Sequence, residues 1–372
     1  MLPETRRSRV RPMSDIVYRK LAKVLDTLPN GFPATEDGLE IKILKKVFAP
    51  EEAELFCDLR MNFETAEQIA ERTGRTLPGL DEMLTTMWRD KGQLFAIDFG
   101  GTRVYKMLPW LWGIYEFQVN RLDREFAELN ERYYPIYGKQ FFGNRPQYAR
   151  AIPIESEIPV KNEALPFDRV SQFIENAQSF GLETCVCKKE MRLLDKGCDK
   201  PEEVCLGLAP VPGVFENNSW GRPISKDEAY SVLKKAEEAA LVHMCANVES
   251  GQIYICNCCG CCCGLLRSIN QLGITDAINS NYYALIDADE CTGCGICAEE
   301  RCQVNAIKEE GDAFRVIRDN CIGCGLCITE CPTEAIRLVS KTADELVPPP
   351  RNDDDWFDQR ARIRGVDYSR YK

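Results

Sequence analysis

The sequence predicts an α+β protein of several domains, and three observations carry that expectation. At 372 residues the chain has room for two or three domains. Helix-like and strand-like apolar periodicities alternate along it. All but Cys57 of its 20 cysteines follow residue 184, the last eight within two near-identical segments, IDADECTGCGICAEERCQVNAI and VIRDNCIGCGLCITECPTEAI. With 44% apolar residues, a core can form outside the cysteine-rich segments.

The chain opens on MLPETRRSRVRP. No apolar segment follows this basic start, and polar residues follow the Arg6-Arg7 doublet where a twin-arginine signal would be apolar. A cytoplasmic location is therefore expected, with Met13, ahead of SDIVYRKL, as an alternative start. Residues 14–137 form the first expected domain. Apolar positions at helical spacing run through IKILKKVF and EEAELFCDL, Thr65 and Gln68 make a capping box for AEQIAERTG, and Pro78 starts GLDEMLTTMWRD. FAIDFGGTRVYKML then places a Gly-Gly turn between two β-rich runs. Over residues 39–107 this order resembles winged helix-turn-helix domains, many of which bind DNA. Charge argues against DNA here: residues 40–107 hold ten Lys or Arg against twelve Asp or Glu, a net of −2, and Asp81, Glu82 and Asp90 lie on the helix that would read bases. A structural or protein-binding role is expected instead. WLWGIYEFQVNRLDREFAELNERYY reads as one long amphipathic helix with its aromatic stripe toward a core, and residues 138–166 as an extended, proline-punctuated connector.

Residues 167–280 make a cysteine-rich α+β domain. Ser225 and Glu228 form a capping box for a helix reaching about Ala240, with Ala229, Leu233 and Ala236 on one face. LVHMCANV and QIYIC flank the turn-prone ESG as a hairpin that delivers ICNCCGCCCG from its second strand. Cys185, Cys187, Cys198, Cys205, Cys256, Cys258, Cys259 and Cys262 are the candidate ligands. Neighbouring side chains diverge in extended chain, so the six cysteines between Cys256 and Cys263 cannot all face one metal, and a subset should ligate. One or two further iron-sulfur clusters are expected here, with zinc as the rival. Cys57 and Cys245 read as buried structural thiols. His243, the single histidine, reads as a hydrogen-bonded core residue, with ligand or proton donor as the alternative.

Residues 281–340 contain the duplication. A CxxCxxC loop lets three sulfurs converge on one cubane while its glycines bring backbone amides toward the sulfides, and the fourth cysteine of each copy lies beyond its own loop and is available to the other cluster. Two four-cysteine zinc sites are the rival, although zinc explains CxxC pairs better than three thiols in one loop. Over residues 284–339 the sequence resembles the two-cluster bacterial ferredoxins, a ferredoxin-like dicluster module. The resemblance implies that Cys291, Cys294, Cys297 and Cys331 bind one 4Fe-4S cluster and that Cys321, Cys324, Cys327 and Cys302 bind the other. The second copy keeps Pro332 after Cys331; the first inserts a residue between Cys297 and Cys302 and has Gln303 in place of proline. Residues 165–340 also resemble a group of uncharacterised bacterial iron-sulfur proteins with a CxC, two further cysteines and CNCCxCCC ahead of a ferredoxin module.

The tail, residues 341–372, carries Pro348 to Pro350 and a charged segment in which Trp356, Phe357 and Tyr368 are candidate anchors, a frayed end being the alternative. So many reduced thiols point to metal and an anaerobic host. The net charge of −11 disfavours nucleic acid and anionic membranes and suits a basic redox protein or enzyme complex as partner. There is no GxGxxG after a strand and no GxxxxGK[ST], so electrons should arrive from a protein. An electron carrier or oxidoreductase subunit is expected; the alternatives are a reductase with a catalytic cluster in the cysteine-rich domain and a redox-sensing winged-helix regulator. No catalytic residue is assigned.

Overall fold

The computed structural model describes residues 13–159, 166–216 and 220–372. The basic opening with Arg6 and Arg7 and the connector residues 160–165 lie outside the described residues. Helices α1 (Met13–Thr27), α2 (Leu39–Val47) and α3 (Pro50–Phe56) bury Leu21, Leu25, Ile43, Leu44 and Phe56 against one another. Strand β1 (Glu64–Thr65), helices α4 (Ala66–Thr73) and α5 (Leu77–Arg89), and strands β2 (Leu94–Phe99) and β3 (Thr102–Met107) follow. Their three-stranded sheet has the order β1-β3-β2. The capping box is present at α4: Thr65 accepts from the Gln68 amide and the Gln68 side chain accepts from the Thr65 amide. Gly100 and Gly101, at φ 59° and 84°, close the β2–β3 hairpin through the positive φ pair that such a turn requires.

The expected long helix is interrupted. The backbone leaves helical geometry at Leu111–Gly113, α6 covers only Tyr115–Phe117, and α7 (Arg124–Phe142) begins afresh where Asp123 accepts from the Phe126 amide. Gln118 holds the break by donating to the nearby carbonyl of Ile114 and to those of Lys91 and Gly92, the latter two remote in sequence and beyond what periodicity can register. The connector is corrected at the same time. Residues 138–142 belong to α7, and Ala149–Ala151 form strand β4 inside a sheet.

That sheet has seven strands. Between β4 and β10 (Ile278–Asn279) come α8 (Val170–Asn176), β5 (Ser179–Thr184), α9 (Val186–Leu193), β6 (Glu203–Ala209), β7 (Arg222–Ile224), α10 (Lys226–Glu238), β8 (Val242–Ala246), β9 (Tyr254–Cys258) and α11 (Gly264–Leu272). The order is β10-β4-β8-β9-β6-β5-β7, parallel between β10 and β4 and antiparallel elsewhere. Helix α10 lays Ala229, Leu233 and Ala236 on the sheet, all buried. Its cap is half of the expected box: Ser225 accepts from the Glu228 amide, while the Glu228 carboxylate pairs with Arg222.

The last region pairs β11 (Tyr282–Ile286) with β14 (Ile336–Ser340), and β12 (Ile307–Glu310) with β13 (Ala313–Val316), around the duplicated cysteine loops. The C-terminal segment forms α12 (Asp353–Arg364) and is docked on the body. Trp356 is buried with its indole N–H on the Gln147 carbonyl, Arg360 donates to the carbonyls of Phe141 and Pro146, and Arg364 reaches Asp26 and the Leu28 carbonyl. One apolar core joins the N-terminal helices, α7 and α11 to Ile154, Val304, Ile322, Leu326 and Trp356, so the cysteine loops are built onto the same interior as the N-terminal region.

Candidate metal centres

The two duplicated loops bring their eight thiols into two groups. Cys291, Cys294, Cys297 and Cys331 line one cavity, walled by Ile286, Phe314 and Ile336. Cys294 is exposed, so this outer group opens to solvent. Cys321, Cys324, Cys327 and Cys302 interact with one another on the inner side, and none of them is exposed. Backbone amides aim at the inner sulfurs: Ala284 donates to Cys321 Sγ (3.4 Å) and Ala306 to Cys302 Sγ (3.2 Å). Such donors stabilise negative charge on sulfur. Burial, then repulsion from Cys321 and Cys302, pushes the Cys324 thiol up to about 12; burial, then Cys294 and Cys291, pushes Cys297 up to about 11. Thiols crowded this way ionise together only around a cation, and four sulfur donors with amide support suit a 4Fe-4S cluster.

The inner group is fastened to the cysteine-rich region by Arg301, Ile154 and Gln303, of which sequence reading singled out Gln303 alone. Arg301 is buried and donates to the Leu326 carbonyl, Thr329 Oγ1 and the carbonyls of Glu237 and Glu238 at the end of α10. The Ile154 amide donates to the Cys324 carbonyl. Gln303, the departure from the regular motif, accepts from the Gly260 amide through Oε1 (3.0 Å), and its own carbonyl accepts from Asn270 Nδ2. A Cβ on residue 260 would collide with that carbonyl, which explains the glycine inside the cysteine run.

The ten middle thiols divide. Strand β9 alternates, so Cys256 and Cys258 share a face. On that face Cys185 interacts with Cys187, Cys187 with Cys263, Cys263 with Cys258, Cys258 with Cys256, Cys256 with Cys205, and Cys205 with Cys185, a loop of six sulfurs. Cys185 and Cys263 are the residues at the N-terminal caps of α9 and α11. The amides of Lys188, Gly264 and Leu266 point at Cys185, Cys187 and Cys263. Hydrogen bonding with Cys205 and burial raise Cys256; Cys256 and burial do the same to Cys258. The other four sulfurs, Cys198, Cys259, Cys261 and Cys262, come together where the chain turns between β9 and α11. Of the sequence candidates, Cys198, Cys259 and Cys262 therefore separate from Cys185, Cys187, Cys205, Cys256 and Cys258. Cys261 and Cys263 join the groups although they were not among the candidates. The signal for Cys263 was its place directly before the helical run GLLRSINQL.

His243 is a buried core residue, with Nδ1 against Asn257 Oδ1 (2.5 Å) and Nε2 against Glu237 Oε1 (3.1 Å). Cys57 and Cys245 are buried too, each pushed up to about 12 by desolvation.

Glu190 on α9, like Glu116, has a carboxyl pushed by desolvation from 4.5 up to about 7. Glu190 is buried, Tyr115 Oη and Asn130 Nδ2 donate to it, and burial outweighs both. The folded protein keeps this proton over a range in which the unfolded chain has lost it. Stability contributed here is complete at low pH and is lost as pH rises from about 4.5 to 7, by about 1.4 kcal/mol per unit of separation. Denaturant titrations across that window should show the loss in the wild type and a flatter profile in Glu190→Gln; equal slopes would contradict the assignment.

Residues 284–338 match the family described as "4Fe-4S dicluster domain". No curated protein and no solved structure matches the chain. The dicluster match, over the residues that carry the duplicated thiols, supports an iron-sulfur protein.

Proposed function

We propose that the protein carries electrons in one-electron steps, as a ferredoxin-like donor or subunit of a larger redox enzyme, with Cys291, Cys294, Cys297 and Cys331 holding the outer cluster and Cys321, Cys324, Cys327 and Cys302 the inner one. When bound, each 4Fe-4S group supplies a one-electron couple with little change in its thiolate cage. The observation that carries this reading is the asymmetry of the two sets. The outer set reaches the surface through Cys294, while the inner set shares a core with Cys258 and Cys263 and touches the cysteine run through Gln303 and Gly260. Electrons can thus enter at one end and leave toward the middle thiols without crossing bulk water.

The entry face is acidic. Asp287, Asp289, Glu290, Glu299, Glu300, Glu309, Glu310 and Asp312 are all exposed around the outer loop, against exposed Lys308 and Arg315, the latter paired with Glu310, while Arg301 points into the body. This supports a basic redox protein as partner. For residues 39–107, the order helix, helix, strand, helix, helix, hairpin and the β1-β3-β2 sheet support a winged helix. Its cations are already engaged: Lys91 with Glu52, Arg103 with Asp98 and over Trp88, and Lys106 over Phe63 and Phe95. A scaffolding role follows.

Anaerobic preparation tests the reading. Iron and acid-labile sulfide should exceed the roughly eight of each that two cubanes supply, the spectrum of the reduced protein should show magnetic interaction between clusters, and duplex DNA should not be retarded at low salt. Zinc without sulfide would overturn it.

A further inference from the structure

Sulfur spacing sets the four thiols gathered at the turn between β9 and α11 apart from the other six middle cysteines. Sulfur atoms of Cys198 and Cys259 are 3.8 Å apart, those of Cys198 and Cys262 3.7 Å, and those of Cys261 and Cys262 3.8 Å; all four lie within 4.8 Å of one another. Four thiolates on one tetrahedral ion with metal–sulfur bonds of about 2.3 Å stand about 3.8 Å apart. Four thiolates on a cubane sit on four different irons, so an iron–iron edge is added between them and the spacing grows to roughly 6 Å. Among the described residues, this tetrad is the group whose ligand atoms all approach so closely. The two ferredoxin-like sets and the six-sulfur loop are wider.

From this geometry we propose that Cys198, Cys259, Cys261 and Cys262 bind a single tetrahedral thiophilic ion, zinc or iron, and not an iron-sulfur cluster. The charge around the tetrad agrees. A divalent ion with four thiolates carries two negative charges, and Cys259 and Cys262 are buried. Lys188 is buried with them, its Nζ 3.1 Å from Cys259 Sγ and 3.9 Å from Cys198 Sγ. A buried ammonium needs an anionic partner, and these sulfurs supply it. The ion would tie the loop carrying Cys198 to the turn carrying Cys259 to Cys262. That turn includes Gly260, which meets Gln303 beside the inner cluster. The role is to hold the surface on which the electron path is assembled, leaving the six-sulfur loop as the place for a polynuclear cluster.

The inference rests on the iron-sulfur electron-transfer reading, and its test separates the two. Full-length protein prepared anaerobically is analysed for zinc, iron and sulfide beside a Cys198→Ser/Cys261→Ser variant. The expected result is the loss of one metal atom per chain with sulfide unchanged; zinc or iron analysis says which ion it is. Loss of about four irons and about four sulfides together would overturn the proposal, as would no loss of metal. Should the variant fail to fold, the wild type decides. Zinc-edge X-ray absorption should give four sulfur neighbours at about 2.3 Å without a short metal–metal distance, or, if zinc is absent, Mössbauer spectra should contain one iron site uncoupled from the clusters; neither signal would overturn it. Absence of iron and sulfide from the wild type would instead sink the electron-transfer reading while leaving the single-ion site open to the zinc measurement.

Discussion

A Cys327→Ser protein is expected to lose about four irons per chain and to unfold well below the wild type, whereas Cys294→Ser should lose a similar amount of iron with little effect on the body. Both substitutions remove one thiol of a four-thiol set. What separates them is where the set stands. Cys327 is buried, and the loop around it contributes Ile322 and Leu326 to the main core, where they meet Ile154 and Val304. Cluster binding there is coupled to the packing of the whole interior, so its free energy is also folding free energy. Cys294 is exposed on a loop that adds only Cys297 to a small satellite core with Ala284, Ile307 and Ile336, which Cys327 joins from the inner loop. Iron analysis with thermal unfolding of both variants under anaerobic conditions checks the contrast. Equal destabilisation by the two would remove the distinction between inner and outer sets.

Asp168→Ala is expected to cost about 3–5 kcal/mol, the penalty for stranding a buried charge. Arg150 and Asp168 are fully buried, their side chains 0% and 1% exposed, with Arg150 NH2 2.5 Å from Asp168 Oδ1. Asn281 Nδ2 donates to the other carboxylate oxygen (2.7 Å), and the Phe167 ring covers the guanidinium at 4.3 Å. The triad therefore links β4 and the segment before α8 to the residue preceding β11. Without the carboxylate, Arg150 keeps a full charge with no other ion-pair partner among the described residues. A double Arg150→Met/Asp168→Leu protein should recover most of the loss, because two apolar groups of similar volume need no partner. Denaturant unfolding of both variants measures this, and a double variant as unstable as the single one would contradict it.

How far the site could be read from sequence depended on range. The CxxCxxC loops are local: three ligands and the turning glycines lie within seven residues, so spacing alone announces them. The Thr65 box and the Gly100-Gly101 hairpin were legible for the same reason, since each motif bonds within itself. The helix expected from Trp110 onward failed where remote carbonyls compete, through Gln118 and its partners near Gly92. Three-residue β4 is too short to display a period. In the middle domain the alternation of β9 could predict that some cysteines diverge, but not which distant thiol each would meet.

Sequence by itself determined that this chain binds metal through sulfur, that eight thiols form a duplicated module, and that a hairpin delivers a dense cysteine run, because these properties reside in residue type and short spacing. Tertiary structure decided that Cys198 pairs with the turn at Cys259 to Cys262, that Cys185, Cys187 and Cys205 face Cys256, Cys258 and Cys263, and that Gln303 seats the inner loop against Gly260. Those partners lie on separate strands and helix ends, and only the packing of α9, α11 and the seven-stranded sheet around a shared interior brings them within reach of one another.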